Sequence, residues 1–143
     1  MTKLEYQATV IETRSEEQLT IKLNYKDKDQ TGLLLTGLYL KPQLNTRKIL
    51  KEFEYLREIY LKYNKYNKPT IIIGGDFNLT PDELRNIISH FLEELSMDIF
   101  HSDVPTRNDN TLDYFIASSA LKDSHKKPLV HKRIGESDHN SVY

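Results

Sequence analysis

Apolar residues recur along this chain with two different periods, and the switches between them lay out the elements. Residues 6–12 and 19–25 are short runs rich in β-branched and aromatic side chains, the second alternating apolar with polar. The polar turn Ser15-Glu16-Glu17 between them predicts an antiparallel hairpin. After a charged loop at 26–30, residues 33–40 are more continuously apolar and end before Pro42, as expected of a central strand. From Asn45 to about Lys65 the period becomes helical: Ile49, Leu50, Phe53, Leu56, Ile59, Tyr60 and Tyr63 fall on one stripe, with Lys48, Lys51, Glu52, Glu54 and Arg57 on the other. Asn45 or Thr46 can cap that helix, and its aromatic stripe reads as core rather than as a platform for nucleobases.

The run Thr70-Ile71-Ile72-Ile73 is bounded by Pro69 and by Gly74-Gly75, which predicts a strand buried on both faces. The two glycines are expected to turn the chain at the strand end and leave Asp76 and Asn78 at the mouth of the sheet. Thr80-Pro81-Asp82-Glu83 is a capping-box pattern, and Leu84, Ile87, Ile88, Phe91, Leu92 and Leu95 give the next helix its apolar stripe. Residues 112–117 form a last strand carrying one carboxylate, Asp113. The whole pattern predicts an α/β domain: a mixed, mostly antiparallel sheet with both helices on one face.

Composition narrows the function. At 143 residues and 38% hydrophobic content there is sequence for one domain with its own core. A formal net charge of −1 gives no global attraction to nucleic acid, so any phosphate must be held by a local site or a metal. The absence of cysteine excludes disulfides and thiolate metal sites. No run is long enough to span a bilayer and the first residues carry no signal-peptide pattern, so a soluble, intracellular protein without a membrane partner is expected, nuclear or cytoplasmic.

Several residues can carry chemistry, each with a plainer alternative. Gly-Asp-Phe-Asn can be an Asx-type turn in which Asp76 and Asn78 bond their own backbone. Tyr39, near the end of its strand, can reach the same rim as Asp76 or simply pack. Asp113 needs a partner inside an apolar strand, and Ser137-Asp138-His139 offers one: an aspartate bonded to a histidine fixes its tautomer, while a second aspartate can hold a metal or a water. Pro105-Thr106-Arg107 precedes that strand, and Lys126, Lys127, His131, Lys132 and Arg133 make a basic segment that is either a solvated face or a phosphate contact.

Taken in order, Leu38-Tyr39-Leu40-Lys41-Pro42, Gly75-Asp76-Phe77-Asn78, Pro105-Thr106-Arg107, Leu112-Asp113-Tyr114 and Ser137-Asp138-His139 resemble the endonuclease/exonuclease/phosphatase (DNase I-like) family. Within it, the flavour is that of the retrotransposon-type and apurinic-type endonucleases. The resemblance implies that Asp76 orients or deprotonates the attacking water, that Asn78 holds Asp76 and contacts the scissile phosphate, and that Tyr39 also contacts it. It implies that His139, oriented by Asp113, stabilises or protonates developing charge, that Asp138 lies at a Mg2+ (or Mn2+) site, and that Thr106 and Arg107 bind substrate. The family domain is a sandwich of two sheets with helices outside. Its amino-terminal half supplies an asparagine and the main metal-ligating glutamate, and no such motif precedes Tyr6. Residues 1–143 therefore read as a single partial domain, half of a DNase I-like sandwich, with an incomplete metal site. The expected function is Mg2+-dependent phosphodiester hydrolysis on nucleic acid, with a partner chain able to supply the missing half. Two alternatives stand beside it: an inactive remnant serving as a protein-interaction subunit, and a small-molecule phosphatase.

Overall fold

The computed structural model describes residues 5–25, 31–124, 128, 130–131 and 137–142. Strands β1 (Tyr6–Ile11) and β2 (Gln18–Tyr25) form the expected hairpin, and β2 pairs antiparallel with β3 (Thr31–Tyr39). Helix α1 (Thr46–Asn67) then crosses over to β4 (Thr70–Asp76), which lies parallel to β3. Helix α2 (Pro81–Glu94) leads to β5 (Met97–Phe100) and β6 (Asp113–Ser118), and β6 returns antiparallel between β4 and β5. The six-stranded order is β1-β2-β3-β4-β6-β5, so one parallel pair sits at the centre of an otherwise antiparallel sheet. A two-stranded ribbon, β7 (Val130–His131) with β8 (Ser141–Val142), stands apart.

Both helices start where their caps dictate. Asn45 accepts the Lys48 amide at 2.9 Å. Thr80 and Glu83 form a reciprocal capping box with Pro81 in the first turn, the Thr80 amide reaching Glu83 at 2.8 Å. Their stripes meet one face of the sheet: Ile49, Phe53, Leu56 and Tyr60 of α1 and Leu84, Ile88, Phe91 and Leu92 of α2 are buried with Leu34, Leu38, Ile71, Ile73 and Ile116. Phe53 and Phe91 meet edge-to-face at 5.0 Å. A chain of hydroxyls ties helix to sheet, Thr20 to Thr36 at 2.8 Å and Thr36 to Tyr60 at 2.6 Å. Leu50 departs from its expected place: it is 46% exposed, at the lip of a shallow groove between the helices.

The other face is open, which corrects the expectation that β4 is buried on both sides. Register places Val10, Ile21, Leu35, Ile72 and Ala117 in one row across five strands. Val10 and Leu35 are 64% and 39% exposed, and Leu19, one row nearer the rim, is 52% exposed. An apolar row of this length at the centre of a sheet is normally covered. Neither helix covers it, because both belong to the opposite face, and of the row only Ala117, at the β6 end, is buried.

The glycines also act differently from expectation. β4 runs straight through Gly74 and Gly75 to Asp76. A Cβ on Gly75 would lie 1.8 Å from the Leu38 carbonyl oxygen, and one on Gly74 would lie 2.9 Å from the Phe115 ring. They are required for close approach in the sheet. The left-handed residue that turns the chain is Asn78, at φ 49°. Among the described residues no helix is long and apolar enough to cross a membrane.

Candidate active site

Three strands end at one rim of the sheet. Parallel pairing sets Tyr39 beside Asp76, and antiparallel pairing sets Asp113 on the other side of Asp76, so the three form one cross-strand row on the open face. Backbone bonds lock the rim: Leu40 N–H donates to the Asp76 carbonyl at 3.0 Å, and Phe77 N–H to Leu112 at 2.9 Å. Beneath it, the buried Phe77 ring stacks on Tyr114 at 4.4 Å, and the Tyr114 hydroxyl donates to the Leu79 carbonyl at 2.9 Å.

The Asx turn and the rim site prove to be the same structure. Asn78 N–H donates to Asp76 Oδ1 at 3.0 Å, fixing the carboxylate, while the Asn78 carboxamide donates to the Leu40 carbonyl at 2.7 Å. Asn78 thus steadies Asp76 through its backbone and joins the ends of β3 and β4 through its side chain.

The segment 137–142 is pinned across the rim. Asn140 N–H donates to the Thr106 carbonyl at 2.7 Å and its carboxamide to the Pro105 carbonyl at 3.2 Å. This delivers His139, whose Nδ1–H donates to Asp113 Oδ2 at 2.8 Å. A carboxylate can only accept, so Nδ1 carries the hydrogen and Nε2 faces the site. Nε2 lies 3.7 Å from Asp76 Oδ2 and 3.6 Å from Asp138 Oδ1, spacings that leave a bridging position for a water or a phosphate oxygen. Burial pushes the Asp76 carboxyl above its ordinary value. The like charge of Asp113 adds to this, against the opposing Asn78 hydrogen bond and the positive charge of His139 and Arg107.

The remaining expected residues fall in different places. Tyr39 is 44% exposed, and among the described residues its hydroxyl has no hydrogen-bond partner. Arg107 Nε pairs with Asp138 Oδ2 at 2.8 Å on the rim's outer edge. Thr106 does not face substrate: it is fully buried, and its hydroxyl accepts the amides of Leu112 at 2.9 Å and Asp113 at 3.1 Å. It positions the start of β6, a tertiary role that its place beside Arg107 did not disclose. Asn140, the clamp on the histidine segment, went unnoticed because a lone asparagine after a histidine carries no sequence signal. Of the basic segment, Lys126, Lys127, Lys132 and Arg133 lie outside the described residues, as does the His131 side chain.

Ligand atoms of Asp76, Asp113 and His139 lie within 4.8 Å of one another, a grouping able to hold a cation. One oxygen of each carboxylate is engaged, Asp113 Oδ2 by His139, Asp76 Oδ1 by the Asn78 amide and Asp138 Oδ2 by Arg107, which leaves Oδ1 of Asp113, Oδ2 of Asp76 and Oδ1 of Asp138 to face a cation. These carboxylate oxygens fit a Mg2+ that keeps several waters and binds substrate phosphate, and fall short of a dedicated protein cage.

No protein-family model and no curated protein matches this sequence. Solved structures do match in fold. The endonuclease domain of TRAS1, a telomere-specific non-LTR retrotransposon, superposes with a TM-score of 0.73 at 17% identity over 96% of this chain and 67% of its own. The 3′ phosphatase NExo from Neisseria, bound to a product DNA hairpin, gives 0.61 at 13% identity over 99% of this chain and 71% of its own. An endonuclease/exonuclease/phosphatase family protein from Bacteroides thetaiotaomicron gives 0.59 at 12% identity over 96% of this chain and 60% of its own. The fold of this chain is the DNase I-like fold, and the chain spans 60 to 71% of the length of these three.

Proposed function

We propose that the rim is the catalytic half of a divalent-metal-dependent phosphodiester hydrolase acting on nucleic acid. The observation that carries this reading is the Asp113–His139–Asp76 line, in which an oriented imidazole and a fixed carboxylate flank one open position. Asp76 Oδ2 orients or deprotonates the attacking water. In its protonated form His139, held by Asp113 through Nδ1–H, donates its Nε2–H to a phosphate oxygen or to the departing oxygen and is left as the neutral Nδ1–H tautomer. Tyr39 contributes its exposed hydroxyl to the phosphate, and Asp138, beside Arg107, would be a ligand to Mg2+ or Mn2+. Held there, such an ion would supply neutralisation of charge on the phosphate in the transition state.

The open face belongs to the same reading. Tyr39, Asp76 and Asp113 stand at the edge of the uncovered apolar rows, so a second layer docking there brings its own rim to the site. That layer supplies the remaining metal ligands. In an inactive remnant the same face serves a protein partner, and the rim does no chemistry.

Product analysis tests the reaction class. With the second layer supplied, the reading expects internal cleavage of an end-labelled oligonucleotide in Mg2+ and no release of inorganic phosphate from sugar phosphates. Release from sugar phosphates with the oligonucleotide left intact would move the protein to the phosphatases.

A further inference from the structure

A groove of about 350 Å3 opens on the far side of Tyr39 from Asp76. The β1–β2 turn gives it Arg14, the loop after β3 gives Lys41, and α1 gives Lys48, Lys51 and Tyr55, with Tyr39 at the end nearest the rim. These four cations face two carboxylates, Glu17 and Glu52, in a chain whose formal net charge is −1. Positive charge is therefore concentrated beside the site against the trend of the whole molecule.

The acids do not use up the cations. Glu17 pairs with Lys41 at 2.6 Å, but Glu52 accepts from the Gln18 carboxamide at 2.7 Å, and Arg14 pairs with Glu58 outside the groove at 3.2 Å. Among the described residues Lys48 and Lys51 have no carboxylate partner. Lys51 lies over the Tyr55 ring, 5.9 Å from its centroid. The first turn of α1 carries no acid, whereas that of α2 carries Asp82 and Glu83. Placing Lys48 at the positive end of a helix costs stability, and an anion in the groove offsets that cost.

A small phosphate ester at the rim has no use for cations beyond Tyr39. A polymer does, because its next phosphates continue past the reacting one, and the exposed Tyr39 and half-buried Tyr55 offer tyrosine rings to the accompanying bases or sugars. We propose that this groove holds the backbone of a nucleic-acid strand flanking the bond at Asp76, with Lys48 and Lys51 on its phosphates and Tyr39 and Tyr55 beside its bases. The proposal rests on the hydrolase reading of the rim and makes a polynucleotide the substrate class.

The test is fluorescence anisotropy of the full chain with a fluorescein-labelled oligonucleotide, in EDTA, across a salt series. Replacing both lysines, Lys48→Glu with Lys51→Glu, is expected to weaken binding about tenfold or more and to flatten the log–log salt slope by about 0.7 to 0.9 per lysine. The pair Lys48→Arg with Lys51→Arg is expected to keep both affinity and slope. Glutamate near the start of α1 suits the helix, so unchanged thermal melting separates lost binding from lost folding. Affinity of the glutamate pair within about twofold of the parent overturns the proposal. So does displacement of the oligonucleotide by polyglutamate as readily as by unlabelled DNA. Binding without metal does not depend on chemistry, so a failed groove and a failed hydrolase are read separately, the second by cleavage in Mg2+.

Discussion

His139 and Asp113, 26 residues apart in sequence, are joined by a 2.8 Å hydrogen bond between Nδ1 and Oδ2, with each side chain 22% exposed. The bond fixes which imidazole nitrogen meets the site. Long-range 1H–15N NMR of the free protein is expected to show the Nδ1–H tautomer of neutral His139. Asp113→Ala is expected to shift the ring toward the Nε2–H form and to lower cleavage by the completed enzyme by about 10²-fold or more. A tautomer unchanged by the substitution means the aspartate does not orient the ring.

Asp76 is held in a position that disfavours its charge. Because burial and Asp113 raise its carboxyl in the folded state, the ionised form destabilises the fold. This contribution is absent below the ordinary carboxylate value and grows as pH rises through the raised one. In EDTA, Asp76→Asn is expected to stabilise the chain at neutral pH by about 0.5 to 1 kcal/mol, with the gain shrinking toward acid pH, and in Mg2+ it is expected to abolish cleavage by the completed protein. A loss of stability at neutral pH contradicts the stored strain.

Asp98 shows the opposite sign. Burial opposes its ionisation, but hydrogen bonds from Lys122 at 2.6 Å, Arg85 at 2.8 Å and the Ile99 amide at 2.8 Å prevail and hold its carboxyl down at about 2. Its stabilisation is present above the ordinary carboxylate value and lost as pH falls to about 2. Its cationic partners are largely exposed, so Asp98→Ala is expected to cost only about 1 kcal/mol at pH 7 and less near pH 2, read from urea midpoints.

Gly75 and Gly37 give a matched pair. A Cβ at Gly75 meets the Leu38 carbonyl oxygen at 1.8 Å, whereas one at Gly37 meets nothing within 4 Å. Gly75→Ala is expected to cost about 3 kcal/mol or more, or to prevent folding, and Gly37→Ala to lie within about 1 kcal/mol of the parent. Equal effects would show that the close approach is not real.

Much of this was legible because local and global signals agree. The capping box at Thr80, one of the two candidate caps of α1 at Asn45, and the two helical stripes apart from Leu50 read correctly, as did the presence of β3 and β4, though not the passage of β4 through its glycines to Asp76. Meeting of Asp113 with His139 followed from the need of a strand carboxylate for a partner together with the family resemblance. What escaped the sequence depends on register and neighbours. The four residues of β5 are too few for a periodic signal. Ile72 and Leu35 have the composition of doubly buried positions, and only the tertiary arrangement shows one face open. The closeness of Leu38 that requires Gly75, and the two amides that turn Thr106 inward, exist only once β3, β4 and β6 are side by side.

The central claim, that the rim is one half of a metal-dependent nuclease site, is tested most directly by plasmid nicking in Mg2+. The chain alone is compared with the chain joined to the part of the TRAS1 endonuclease domain that it does not span. The carboxylates of this rim alone leave the metal underligated, so the chain by itself is expected to nick slower by about three orders of magnitude or more than the completed protein. The completed protein is expected to nick in Mg2+, to stop in EDTA, and to lose activity with Asp76→Ala or His139→Ala in this chain. Robust Mg2+-dependent nicking by the chain alone would show that the metal site is already whole, and nicking that survives both substitutions would contradict the site itself.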